Sequence, residues 1–134
     1  MALNLTVWNL LILLGALQGL ILGIVLFFSK NYQPASKFLG CFMLILAYNG
    51  LETFNWSAGV NLLLPKIFSF VFIFGLGPSM YLYVASFTKG NTIATKTVLL
   101  HFSPVFIQGF LRLALIIYHI LWINRIIPQT TAPP

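Results

Sequence analysis

Four apolar runs, each about as long as a lipid bilayer is thick, make up most of this 134-residue chain. About 20 residues of α-helix cross the hydrocarbon core of a bilayer. Only 6% of the residues are charged, against roughly 25% in an ordinary soluble domain, so these residues cannot cover a water-soluble surface. The sequence therefore predicts an all-α, polytopic membrane protein with a transmembrane domain over residues 1–127 and a polar tail over 128–134. The predicted bundle has about four transmembrane helices, at residues 5–28, 38–56, 67–87 and 98–123.

The short gaps between the apolar runs predict an orientation. The gaps 29–37 and 88–97 carry two lysines each, whereas the gap 57–66 carries one. Because lysine-rich loops remain in the cytoplasm, the N-terminus is predicted to lie outside, and after four spans the C-terminus lies outside as well. All tryptophans then fall at outer ends, where indole rings prefer the membrane interface: Trp8, Trp56 and Trp122. The predicted location is the cytoplasmic (inner) membrane, with the lipid bilayer as the first partner.

The first run, "GALQGLILG", spaces its glycines four residues apart, at Gly15, Gly19 and Gly23. Residues four apart lie on one face of a helix, so the glycines predict a flat groove that a neighbouring helix can approach closely. The pattern does not identify the neighbouring helix. It is either another span of the same chain or the same span of a second copy, which would form a homodimer.

The third run is interrupted at "FGLGPSM". Pro78 lacks the N–H that would bond to the carbonyl of Phe74, and Gly75 and Gly77 precede it closely. These three residues, Gly75, Gly77 and Pro78, predict a kink.

Two charged residues lie inside predicted spans. Glu52 and Arg112 are each 14 residues from the inner end of their span, or about 21 Å along a helix. A charge near the bilayer centre costs roughly 2.5–3.5 kcal/mol on insertion scales, so we predict that Glu52 and Arg112 pair within an outer polar cluster. Asn49 or Asn55 would take the remaining hydrogen bonds, and His119 could join. The alternative is that each charge reaches the interface separately.

No pattern of catalytic residues is found. There is no nucleophile–base pair, no G-x-x-x-x-G-K phosphate loop and only one acidic side chain in the sequence. We therefore expect no enzymatic activity, no cofactor and no metal site. The candidate metal ligands lie on separate spans or at separate depths: His101, His119, Cys41 and Glu52.

Three stretches in order carry a family resemblance. A glycine-rich first span is followed by a basic gap with the pattern Pro-Ala-x-[KR]-Phe-Leu at 34–39. The third run contains Gly-Pro-x-x-Tyr-x-Tyr-Val at 77–84, and the fourth opens with "LLHFSPVF" at 99–106. Over roughly residues 9–110 the chain resembles the N-terminal membrane region of membrane-bound AraC-type helix-turn-helix regulators of Bacteroidetes and their relatives.

The resemblance implies a membrane-embedded sensor or input module that precedes a cytoplasmic DNA-binding domain. After Ile127 only "PQTTAPP" follows, without a helix-turn-helix pattern, so we expect no nucleic acid contact by this segment. An external C-terminus could not reach DNA either. We therefore expect a truncated member, or a stand-alone relative of the input module, with an unidentified ligand. Two alternatives stay open: a small four-helix transporter acting as a dimer, which a lone intramembrane acid fits, and a fragment without a function of its own.

Overall fold

The regular elements of the described residues are all helical. The computed structural model describes residues 6–30, 34–60, 68, 71–88 and 93–123. The predicted all-α class is confirmed for these ranges, whereas the predicted tail 128–134 and part of the third run lie outside them. The elements are α1 (Val7–Phe28), α2 (Ala35–Ala58), a 3-10 helix η1 (Phe72–Gly75), α3 (Leu76–Thr88) and α4 (Thr95–Ile123).

Local signals explain where the helices start and stop. Thr6 caps α1, its hydroxyl oxygen accepting from the Asn9 backbone N–H at 3.3 Å. Helix α2 starts directly after Pro34 and ends at Gly59, whose φ of 69° lies in the left-handed region that glycine adopts at little cost. Both α2 and α4 begin three residues before their predicted spans, at 35 instead of 38 and at 95 instead of 98. The helices therefore extend past the apolar runs into the lysine-containing gaps.

Two of the described helices are long and apolar enough to cross a membrane, namely Val7–Phe28 and Thr95–Trp122. The segment Phe72–Thr88 is apolar but shorter. No residue in the most apolar part of α4 is buried within the chain. Large apolar side chains that α4 exposes include Leu100, Phe106, Ile107, Phe110 and Leu115.

Helices α1 and α2 form an antiparallel hairpin whose contact is made by small residues. A Cβ atom built on Gly19 would lie 3.4 Å from the Ala47 Cβ, and one built on Gly50 would lie 3.0 Å from the Ala16 Cβ. Ala16 and Ala47 are themselves buried. Because only glycine hydrogens and alanine methyl groups separate them, the two backbones approach closely over several turns, which favours dispersion contacts between the helices.

Gly15 does not belong to this contact within the chain, and its packing against a second copy stays a prediction. A Cβ atom on Gly15 would meet nothing within 4 Å, whereas Gly19 and Gly23 both face α2. The reason is helical geometry. A separation of eight residues, as from Gly15 to Gly23, rotates a side chain by about 80°, whereas the seven from Ala16 to Gly23 rotate it by only about 20°. The contacting face is therefore Ala16, Gly19 and Gly23.

The predicted irregularity at Gly75, Gly77 and Pro78 takes the form of a change in helix type. The 3-10 helix η1 ends at Gly75, and α3 begins one residue later. Pro78 thus lies in the first turn of α3, where backbone N–H groups have no partner within an α-helix. A proline is tolerated in the first turn of an α-helix, and the predicted kink stays a prediction.

The fourth helix is attached to the rest of the bundle mainly through η1 and α3. A Cβ atom on Gly75 would lie 2.7 Å from the Ile45 Cδ1 of α2 and 3.5 Å from the Phe102 and Val105 side chains of α4. Helix η1 is therefore held between α2 and α4. The Tyr81 ring of α3 stacks on the His101 ring of α4, with centroids 4.7 Å apart and planes inclined by 9°.

Candidate functional site: a groove beside Glu52

A groove of about 580 Å³ lies where α2 faces η1 and the start of α3. Its volume falls in the range of small-molecule pockets, about 300–1,000 Å³. Five of its residues lie on one face of α2, at intervals of three or four, and two come from the facing elements. The lining residues are Leu46, Asn49, Glu52, Thr53, Trp56, Ile73 and Leu76.

The polar residues of the groove all come from α2. The Asn49 side-chain amide donates to the Ile45 carbonyl at 2.9 Å, and the Thr53 hydroxyl donates to the Asn49 backbone carbonyl at 2.9 Å. Both hydrogen bonds run back along the helix, so each side chain bonds to a carbonyl of its own helix. Glu52 is 3% exposed, so its carboxylate lies inside the protein, at the side of the groove.

The rest of the lining is apolar and faces outward. Trp56 is 69% exposed, Leu46 is 43% exposed and Ile73 is 42% exposed. A ligand would therefore reach the groove from the surroundings of the bundle, not through its interior. The arrangement can bind a mostly apolar molecule, with the buried Glu52 carboxylate at the side of the groove.

The predicted polar cluster is brought together only in part. Asn49 and Glu52 line the same groove, and Asn55 is buried one turn further along α2. Arg112 and His119 are not among the lining residues. Arg112 is half-buried on α4, and the exposed His119 ring stacks on Trp122 with centroids 6.3 Å apart. The pairing of Glu52 with Arg112 stays a prediction.

Sequence reasoning missed five of the groove residues, Leu46, Thr53, Trp56, Ile73 and Leu76. On α2, Leu46, Asn49, Thr53 and Trp56 repeat at intervals of three and four, which places them on one helix face. This spacing around Asn49 could have identified Thr53 and Trp56. Ile73 of η1 gives no such signal, because only the packing of η1 against α2 brings it to the groove.

A second groove, of about 390 Å³, lies between η1 and α4. Its lining is apolar throughout and dominated by aromatic rings, so it offers shape but no charge or hydrogen bond to a ligand. The lining residues are Phe68, Val71, Phe72, Val105, Phe106, Gly109, Phe110 and Leu113.

Among the described residues, no group of three His, Cys, Asp or Glu side chains could hold a metal ion. No protein-family model matches the chain, and it matches no curated protein and no solved structure. The resemblance to AraC-type regulators therefore depends on the sequence motifs alone and stays a prediction.

Proposed function

We propose that this chain is a membrane-embedded sensor or input module, of the kind that the resemblance to membrane-bound AraC-type regulators implies. It would lie in the cytoplasmic membrane as four spans with an external N-terminus. In this role, occupancy of the groove beside Glu52 is converted into a shift of α4, the last helix of the chain's described part.

One observation carries the proposal: η1 belongs both to the groove and to the attachment of α4. Ile73 of η1 lines the groove, and a Cβ atom built on Gly75, at the end of the same helix, would lie 3.5 Å from the Phe102 and Val105 side chains of α4. A ligand that displaces η1 must also change the surface on which α4 rests. Such a shared element is a physical means of coupling two sites.

The packing of the bundle favours movement of α4 over movement of the hairpin. Helices α1 and α2 are in backbone contact through glycines, whereas α4 has no buried residues in its most apolar part. A helix held by few buried contacts shifts at lower free-energy cost than one in a close-packed interface. The hairpin therefore serves as the fixed frame of the module.

The coupling is testable without knowing the ligand. Ile73→Trp would fill part of the groove and mimic occupancy, whereas Ile107→Trp is a matched control on α4, because Ile107 is exposed and lines neither groove. Spin labels on Lys37→Cys and Leu115→Cys, in a Cys41→Ser background, report the distance between α2 and α4. We expect Ile73→Trp, but not Ile107→Trp, to change the distance distribution. Identical distributions in both variants would contradict the sensor role.

The four-span topology has its own test. Single cysteines are introduced in the Cys41→Ser background and treated with a membrane-impermeant maleimide, first in intact cells and then after lysis. The external positions should be labelled in intact cells and the cytoplasmic ones only after lysis. Labelling of both sets before lysis would contradict the orientation. The external positions are Thr6 and Gly59, and the cytoplasmic ones are Lys30 and Lys96.

The link to a transcriptional regulator is tested by sequencing the transcript past the codon for Pro134. A helix-turn-helix domain in the same frame supports the regulator assignment. A stop codon or an unrelated domain overturns the regulator assignment. The sensor role is then tested by the spin-label distances alone.

A small transporter acting as a dimer is the second candidate, and one observation favours it. The single acidic side chain of the sequence lines an apolar groove that faces outward, an arrangement suited to carrying a charged substrate. Substrate-dependent proton flux in vesicles that Glu52→Gln abolishes would support transport. Movement of α4 without any flux would support the sensor instead.

A further inference from the structure

We propose that the outer face of α1 is an interface with a second copy of this chain, in which the two Gln18 side-chain amides hydrogen-bond to each other. The inference goes beyond the sensor role. It rests on one part of the proposed function, the membrane location with the same orientation for every copy. The position of Gln18, the spacing of its exposed neighbours and the chemistry of its amide each support this partner.

Gln18 is a polar side chain in the middle of an apolar helix. It lies between Val7 and Phe28, the two ends of α1, about 15–17 Å along the axis from each. In the proposed topology this is the centre of the bilayer. The side chain is exposed, and it makes no hydrogen bond within the part of the chain that the structure describes. An amide in hydrocarbon without a hydrogen-bonding partner costs free energy, so Gln18 favours association with a molecule that supplies one.

Gln18 belongs to a heptad pattern on the face of α1 that points away from α2. It lies about 140° around the helix from Gly23 and about 160° from Ala16, which both face α2. The residues of the outer face alternate at intervals of three and four, and the five apolar ones are 54–75% exposed. This spacing lets two helices pack along their length at a crossing angle of about 20°. The members of this face, termed the outer seam, are Leu11, Leu14, Gln18, Ile21, Val25 and Phe28.

The chemistry of the Gln18 amide favours a second copy over any other partner. An amide has both donors and an acceptor, so two identical amides can form two hydrogen bonds with each other. Copies inserted in the same orientation place Gln18 at equal depth, and a two-fold axis between parallel helices brings the two amides together. A single polar residue in a heptad core likewise fixes the register of a helix pair. Gly15 lies beside the outer seam and has nothing within 4 Å of a built Cβ, which leaves room for the partner helix.

Energy transfer between labelled copies measures the association. Full chains with Lys37→Cys in a Cys41→Ser background carry a donor or an acceptor dye and are mixed in phosphatidylcholine vesicles at a series of protein-to-lipid ratios. We expect Gln18→Leu to raise the apparent Kd about tenfold, because it removes two hydrogen bonds between the copies and keeps a side chain of similar size. An unchanged Kd in Gln18→Leu, or no energy transfer with Gln18 in place, would overturn the proposal.

Two isoleucines provide a matched pair on and off the outer seam. Ile21 belongs to the outer seam, whereas Ile24 lies about 120° around the helix from Gln18, and both side chains are exposed. Ile21→Ala should weaken the association severalfold and Ile24→Ala should leave it unchanged. Circular dichroism verifies the fold of each variant. If Gln18→Leu does not fold, oxidative cross-linking decides. Ile21→Cys should then form a disulfide between copies far more readily than Ile24→Cys, and equal cross-linking of the two would contradict the outer seam.

Failure of the outer seam and failure of the sensor role are distinguishable. Association that depends on Gln18, together with an unchanged distance between α2 and α4 in Ile73→Trp, supports the outer seam and overturns the sensor role. If Ile73→Trp moves α4 but Gln18→Leu associates as well as the unaltered chain, the outer seam is wrong and the sensor role stands. Absence of the chain from the membrane fraction of cells would overturn the membrane location, and the outer seam with it.

Discussion

Gly23 and Gly40 bring the backbones of α1 and α2 into contact: a Cβ atom built on Gly40 would lie 2.9 Å from the Gly23 carbonyl oxygen and 2.7 Å from the Phe27 backbone nitrogen. Both neighbours are backbone atoms, which cannot rotate away as a side chain can. An added methyl group must therefore push the two helices apart.

We expect Gly40→Ala to lower the free energy of unfolding by about 1–3 kcal/mol, the usual cost of overpacking. The matched control is Gly15→Ala, since Gly15 has nothing within 4 Å of a built Cβ and should change stability by less than about 0.5 kcal/mol. Equilibrium unfolding in mixed detergent micelles, followed by circular dichroism, measures both. Equal stability of the two variants would show that the hairpin is not packed through Gly40.

A homodimer through the first span can be tested without disturbing the contact between α1 and α2. Gly19 and Gly23 face α2, so of the three spaced glycines Gly15 is the one open to a second copy. If such a dimer forms, Gly15→Leu should weaken it severalfold in energy-transfer measurements between labelled copies, without lowering the stability of the monomer. Unchanged energy transfer would exclude Gly15 from any dimer contact.

Ser103 compensates for the proline inside α4. Pro104 has no N–H to donate to the Leu100 carbonyl, and the Ser103 hydroxyl donates to that carbonyl instead, at 2.7 Å. We expect Ser103→Ala to cost about 0.6 kcal/mol of stability, typical of a side-chain hydrogen bond in a membrane protein. In a Pro104→Ala background the restored backbone N–H donates to the Leu100 carbonyl. Ser103→Ala should then change the stability by close to nothing. Equal costs in both backgrounds would refute the compensation.

The predicted pairing of Glu52 with Arg112 is tested by exchanging the charges. Glu52→Arg alone and Arg112→Glu alone should each reduce the amount of protein in the membrane, because each leaves like charges together. The double exchange should restore it. Combining Glu52→Arg with Lys96→Glu is the matched control, since the exposed Lys96 lies at the start of α4, four turns before Arg112. Rescue by this control, or no rescue by the double exchange, would contradict the pair.

The positions of the helices were predictable because they depend on the length of each apolar run and on the residues at its ends. Pro34 and Gly59 bound α2, and Thr6 caps α1, so these limits depend on residues within one turn of the helix end. Helices α2 and α4 start before the predicted spans because hydropathy marks where an apolar run begins, not where helical hydrogen bonding begins. Lys37 and Lys96 are helical although they belong to the charged gaps.

The groove was predictable only on its α2 side. Asn49 and Glu52 stand out as polar residues in an apolar run, whatever they pack against. Ile73 and Leu76 join them only because η1 returns to α2, a contact between residues more than twenty positions apart. For the same reason the glycine spacing could not distinguish a partner helix in the chain from one in a second copy.

The central place of α2 imposes an order on assembly. One of its faces is covered by α1, its neighbour in sequence, and another is completed by η1 and α3, which the ribosome makes later. The hairpin can therefore form as soon as α2 has been synthesised, when the groove beside Glu52 has only its α2 wall. The glycine contact between α1 and α2 thus precedes the groove in the order of synthesis.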